Sequence, residues 1–267
     1  MLAQLEESET KLYKCCPKVV PAGMVSVDWF LNEGESPPSL LQSTPIVIIV
    51  PGLTGSSESG YVRRTACRLK REYGDKIRVA AYNPRSRGGN IVGSPFMYSA
   101  GYTLDLRRVI RHLKSTSGEG TRMIGISYSL GSNVLAKYMG EEGDHNDLDG
   151  AMCFATPLDL LLCCRALKDT YQGRLMDPVL CNFVQIVRQD LEFLLKQYPE
   201  KFDLDRIRGA KTMFDFDDSV VAPMFEIGGA SGRMTPARGD ILSILFTLYS
   251  FGISFSVLMY FYVLQYL

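Results

Sequence analysis

The sequence predicts an α/β fold with a mostly parallel central sheet, and three observations carry that expectation. Short apolar runs rich in β-branched residues, Pro45-Ile-Val-Ile-Ile-Val50 and Ile77 to Tyr82, suit strands buried on both faces. Helical periodicity separates such runs, most clearly from Thr103 to Leu113, where Leu106, Val109, Ile110 and Leu113 share one face. Strand and helix patterns then keep alternating to about residue 155, the order expected of parallel strands joined by crossover helices.

The elements follow in order. Residues 1–23 are polar, contain Pro17 and Pro21, and read as an irregular N-terminal segment. From Met24 to Leu31 apolar Val25, Val27 and Trp29 alternate with Ser26 and Asp28, a strand pattern. Asn32 to Thr44, with Gly34, Pro37 and Pro38, is a loop before the first buried strand. Pro51-Gly-Leu-Thr-Gly55 breaks that strand, and Ser56 or Ser57 can cap a helix reaching about Tyr73. The run ending at Tyr82 gives way to a polar loop, Asn83-Pro-Arg-Ser-Arg-Gly-Gly89. Met123 to Tyr128 and Ala151 to Ala155 read as strands, with a helix through Asn133 to Gly140 between them. Leu158 to Tyr198 is helical and strandless, so a lid-like helical insertion is expected over about 157–222 of a domain spanning 24–225.

Beyond it, 226–240 is a Gly/Ser/Arg-containing linker, and 241–267 runs 27 residues without a charge or a proline. A helix of that length reaches about 40 Å, enough to cross a bilayer core of about 30 Å. Two readings fit this tail. It is a C-terminal transmembrane anchor, or it is translated intron, since its residues are those of thymine-rich codons.

Composition excludes several classes. Lys+Arg and Asp+Glu both count 29, so no charge excess points to nucleic acid. The seven cysteines are odd in number and form no C-x-x-C, so neither a disulfide framework nor a metal site is signalled. The N-terminus is acidic and lacks the apolar core of a signal peptide, which argues against secretion. A membrane-associated or cytoplasmic protein is expected. No cofactor is implied.

The chemistry sits in Ile124-Gly-Ile-Ser127-Tyr-Ser129-Leu-Gly131. A strand running into a tight turn and then a helix is the setting of a nucleophile elbow, which needs small residues two before and two after the serine. Ser127 and Gly131 are those neighbours of Ser129. Ser127 is the alternative nucleophile, but Ser129 then occupies the place of the following glycine. Acyl transfer also needs donors for a developing oxyanion. Leu130 follows the nucleophile, and Pro51-Gly-Leu53-Thr-Gly55 follows an earlier buried strand, so their backbone amides are the candidates.

These pieces resemble the α/β-hydrolase superfamily, family 4, the YheT-like group that includes abhydrolase domain-containing proteins 1, 2 and 3. The resemblance rests on Val27-Asp-Trp29, Pro51-Gly-Leu-Thr-Gly-Ser-Ser57, Asn83-Pro-Arg-Ser-Arg-Gly-Gly89, Asp105-Leu-Arg107, Ser129-Leu-Gly-Ser-Asn-Val-Leu135, Lys137-Tyr-Met-Gly-Glu-Glu-Gly143 and Phe216-Asp-Asp218 with Ala222-Pro223. It implies an α/β-hydrolase fold whose final strands are missing from this chain. It also implies a serine esterase or lipase acting on acylglycerols or phospholipids, with Ser129 as nucleophile and the Leu53 and Leu130 amides as oxyanion donors. The family's acid and histidine lie downstream of Phe216-Asp-Asp218, where nothing here matches them. His112 and His145 are the only histidines, and both fall outside the expected order of serine, acid, histidine. Asp217 and Asp218 read as structural. The expectation is therefore a serine hydrolase with an impaired triad, or alternatively a non-catalytic, tail-anchored protein that binds lipid or a partner.

Overall fold

The structure, a computed structural model, describes residues 10–20, 23–32, 43–90, 96, 98–196 and 198–224. The expected linker at 226–240 and the apolar tail at 241–267 lie outside the described residues. Six strands form one sheet: β1 (Thr10–Val20), β2 (Gly23–Asn32), β3 (Ile46–Val50), β4 (Arg78–Asn83), β5 (Met123–Tyr128) and β6 (Gly150–Phe154). Their order is β1-β2-β4-β3-β5-β6. β1 and β2 pair antiparallel, as do β2 and β4; from β4 through β3 and β5 to β6 every pair is parallel.

One expectation fails at the start of the chain. Residues 1–23 read as irregular, yet Thr10–Val20 is a strand along the outside of β2. Its register slips between Cys15 and Lys18, where Pro17 stands, so no unbroken two-residue alternation exists to be read.

Helices α1 (Gly60–Tyr73), α2 (Leu104–Thr116) and α3 (Leu130–Glu142) flank the sheet. On one face Val25, Val27, Trp29, Ile46, Ile48 and Val50 bury against Leu106, Val109 and Ile110 of α2 and Leu135 and Tyr138 of α3. On the other, Phe30, Ile49, Val79 and Ala81 meet Val62 and Ala66 of α1. Burial of this kind contributes roughly 25 cal/mol per Å² of apolar surface removed from water, which outweighs the modest helix propensity of these segments. The N-cap position of α1 is Ser59 rather than Ser56 or Ser57, and its side chain makes no capping bond; Ser57 is drawn into a buried polar network described below. Ile124 and Met152, on the α1 side of β5 and β6, remain 40% and 50% exposed. Among the described residues no strand lies beyond β6.

After β6 the chain is helical: α4 (Leu160–Asp169), α5 (Tyr171–Leu195), α6 (Leu204–Gly209), α7 (Met213–Phe216) and a π-helical turn, Asp217–Val221. Gly173 lets α5 cross close over α4, since a Cβ there would lie 2.6 Å from the Leu167 carbonyl oxygen. Val184, Phe202, Ile207, Phe216, Val220 and Met224 form this layer's own core, and Leu53 and Phe96 pack against it. The turn after β3 thereby carries the helical layer.

Candidate active site

Ser129 stands where β5 ends and α3 begins, at φ +50° and ψ −122°. For a residue with a Cβ this is strained backbone, of the sort that persists when its surroundings over-determine it. Those surroundings are on hand. The Ser129 amide donates to the Phe154 carbonyl at 2.8 Å. The Ser132 hydroxyl donates to the same carbonyl at 3.0 Å and accepts from the Phe154 amide at 3.1 Å. Asn133 donates to the Pro157 carbonyl at 2.9 Å. Three residues of the turn thus tie the start of α3 to the end of β6 and the segment just after it. Gly131 completes the fit, because a Cβ there would stand 2.7 Å from the Val50 carbonyl oxygen and closer still to that of Pro51.

The two serines part company. Ser129 is exposed. Ser127 is fully buried within β5, and its hydroxyl donates to the Met152 carbonyl at 3.3 Å and to the Cys153 sulfur at 3.4 Å. Of the two serines, Ser127 is enclosed in the sheet and Ser129 reaches the surface.

The loop after β3 lies against Ser129. A Cβ on Gly52 would be 3.2 Å from the Ser129 Cβ, so only glycine allows this approach without displacement. The Gly52 amide donates to the Tyr61 hydroxyl at 2.9 Å, and the Tyr98 hydroxyl donates to the Pro51 carbonyl at 3.1 Å. Burial pushes both phenols above their usual range, which keeps them neutral. Thr54, at φ +58°, turns the chain beyond Leu53. Leu130 opens α3, and the first amides of a helix have no partner within it. The amides of Leu53 and Leu130 therefore sit on the two segments that converge on Ser129.

A deeper layer supports that loop, and the sequence offered only hints of it. Buried Asp28 accepts from the Ser57 hydroxyl at 2.6 Å and from the Asn83 amide at 2.8 Å, while the Ser57 amide donates to Asn83 Oδ1 at 2.8 Å. Arg85 forms a two-pronged ion pair with Asp105 at 2.5 and 2.9 Å, both side chains buried. The readable signal was an acidic residue between Val27 and Trp29 in an otherwise apolar strand, since such a group must find partners when buried.

The histidines and late acids lie elsewhere. His145 ends the short turn Gly143–His145 at the far end of α3, whose 13 residues extend about 20 Å from Ser129. His112 follows Arg111, which pairs with Glu142 at that same end. Asp218 pairs with Arg206. Burial, then the neighbouring Asp177 carboxylate, raises Asp217 to about 7, whereas a carboxylate that orients a catalytic histidine must stay ionised. Among the described residues no three His, Cys, Asp or Glu side chains are grouped to hold a metal ion.

No protein-family model matches the chain. Curated relatives do. Embryogenesis-associated protein EMB8 of Picea glauca is 27% identical over 79% of this chain and 46% of its own length. Phospholipase ABHD3 of Mus musculus is 26% identical over 78% of this chain and 49% of its own. The monoacylglycerol lipase of Saccharomyces cerevisiae is 28% identical over 68% and 40%. The chain's homologues include abhydrolase domain-containing proteins. Its fold is α/β, with a mostly parallel sheet and flanking helices. The chain spans about half the length of the curated relatives it matches. No helix among the described residues is long and apolar enough to cross a membrane.

Proposed function

We propose that this chain carries the nucleophile half of a serine hydrolase acting on carboxylic esters of lipids. The observation that carries the reading is Ser129: exposed, at positive φ, on a strand-to-helix turn against which the Gly52 loop is packed. The Ser129 hydroxyl attacks the ester carbonyl, and the Leu53 and Leu130 amides receive the developing oxyanion. The proton given up by Ser129 passes to the departing alcohol, and water then splits the acyl-enzyme into the free acid and the restored serine hydroxyl. A missing donor in such a hole typically costs about 3–4 kcal/mol, which gives the loop's close packing a purpose. Relatives named phospholipase and monoacylglycerol lipase support lipid esters as the substrate class.

The chain is proposed to be impaired by itself. A serine hydroxyl needs a base, and a carboxylate to orient that base. His112 and His145 lie at the wrong end of α3, and the family pattern places both missing groups beyond Asp218. This same observation favours a second reading, a hydrolase-like protein that binds lipid or a partner without turnover.

Activity-based labelling with a fluorophosphonate tests the first reading. Slow covalent modification is expected on the folded protein, lost in Ser129→Ala, kept in Ser127→Ala and accelerated by added imidazole. A folded preparation that takes no label in the presence of imidazole overturns the hydrolase reading and leaves the binding one.

A further inference from the structure

The helical layer turns an apolar face outward. Among the described side chains of α5 the buried positions are Gly173, Asp177, Cys181 and Val184, which recur with helical spacing on one side of the helix. Tyr171, Leu175 and Val179 recur at intervals of four, half a turn away, and so share the opposite side of the helix. They are 72%, 58% and 43% exposed, and Met176 beside them is 36% exposed. Scattered surface leucines need no explanation, but an aligned row of large apolar residues does. Charge accompanies the row. Arg165 and Lys168 on α4 and Arg174 on α5 are exposed, and none of the three is in an ion pair among the described residues. Among the described residues around α4 and the start of α5, the accessible acids are exposed Asp169 and partly buried Asp159, the α4 cap, so three cations face two carboxylates.

We propose that this face of α4 and α5 docks on an anionic lipid surface, with Tyr171, Leu175, Met176 and Val179 entering the interface and the three basic side chains reaching lipid phosphates. A helix lying in the interface shows this combination of an apolar stripe and long cationic side chains that keep their charge at the headgroup level. Phosphate charge complements the local positive excess, whereas the chain as a whole is neutral and offers no general attraction. The proposal does not depend on the hydrolase reading.

Hydroxyl-radical footprinting of the full chain, read residue by residue by mass spectrometry, tests it without reference to catalysis. With vesicles of phosphatidylcholine containing about 30% phosphatidylserine, oxidation of Tyr171 and Met176 is expected to fall at least about threefold. Tyr73, half-exposed at the end of α1, reports on the opposite end of the sheet and should not change. In Tyr171→Ser/Leu175→Ser/Val179→Ser, whose sites are exposed and whose helicity is checked by circular dichroism, Met176 should lose its protection. In Arg165→Glu/Lys168→Glu/Arg174→Glu the dependence on phosphatidylserine should vanish. Vesicle-bound protein that still oxidises Tyr171 and Met176 at the free rate overturns the proposal, since another segment then holds the chain on the lipid. Equal protection on pure phosphatidylcholine overturns it too. So does protection without vesicles that grows with protein concentration, which assigns the face to a second copy.

Discussion

Replacing Asp105 with alanine should destabilise the protein far more than any surface substitution. The Arg85 and Asp105 side chains are 4% and 6% exposed and meet through two bonds, 2.5 Å from Nε and 2.9 Å from the terminal nitrogen. The guanidinium also lies 5.6 Å from the Tyr102 ring centroid. With the carboxylate gone, the buried guanidinium loses the two charge-assisted bonds that offset its desolvation. Breaking one partner of such a pair costs about 3–5 kcal/mol. At about 2–4 °C per kcal/mol for a domain of this size, the melting temperature should fall by roughly 6–20 °C. The attraction itself is a small part of that figure, because two desolvated charges largely offset their own Coulomb gain. The double variant Arg85→Met/Asp105→Leu should therefore recover most of the loss. Urea titration of the wild type, both singles and the double provides the measurement. A cost below about 1 kcal/mol for Asp105→Ala would refute the reasoning, as that is the range of an exposed pair. A double variant as unstable as the sum of the singles would refute it equally, since packing rather than a stranded charge would then be responsible.

Three further outcomes are expected. Asp28→Ala removes the acceptor shared by Ser57 and Asn83, and urea denaturation should show a loss of about 3–6 kcal/mol, the range for two hydrogen bonds to a charged group. Gly131→Ala forces α3 away from the carbonyls of Val50 and Pro51; a cost of about 1–3 kcal/mol is expected, with fluorophosphonate labelling of Ser129 reduced more than the unfolded fraction explains. Asp217, raised to about 7 by burial and Asp177, holds a proton in the folded state that the unfolded chain releases near its ordinary value. Stability should then decline as pH rises from about 4 to about 7 and level off above, and Asp217→Asn should abolish that slope in melts across the range.

The parallel half of the sheet was legible because doubly buried strands are continuous apolar runs, and β3, β4 and β5 fall within a residue or two of where Pro45–Val50, Ile77–Tyr82 and Met123–Tyr128 place them. Ser129 could be read from the small residues around it, since strain at a turn leaves a compositional trace. β1 could not, because an outer strand with a slipped register owes its conformation to the partner ladder and not to its own pattern. The first residue of α1 was misplaced for a related reason. Ser57 is a fair local cap, but a bond to Asp28, 29 positions earlier, outcompetes the cap, and local pattern carries no sign of it. The support of Gly52 by Tyr61 and of Pro51 by Tyr98 was likewise invisible, as tyrosine at those positions reads as ordinary core.

The pairing of Val50 with Ser127 has a consequence for how the turn comes into being. The two residues are separated by roughly 75 positions, and that loop must close before the turn after β3 can pack against Ser129. Left to itself, a peptide covering β5 and α3 would relax the serine into an ordinary conformation. The reactive geometry is thus a property of the assembled sheet and arises late on the folding route. Newly made chain does not expose a primed serine before there is a domain to govern it.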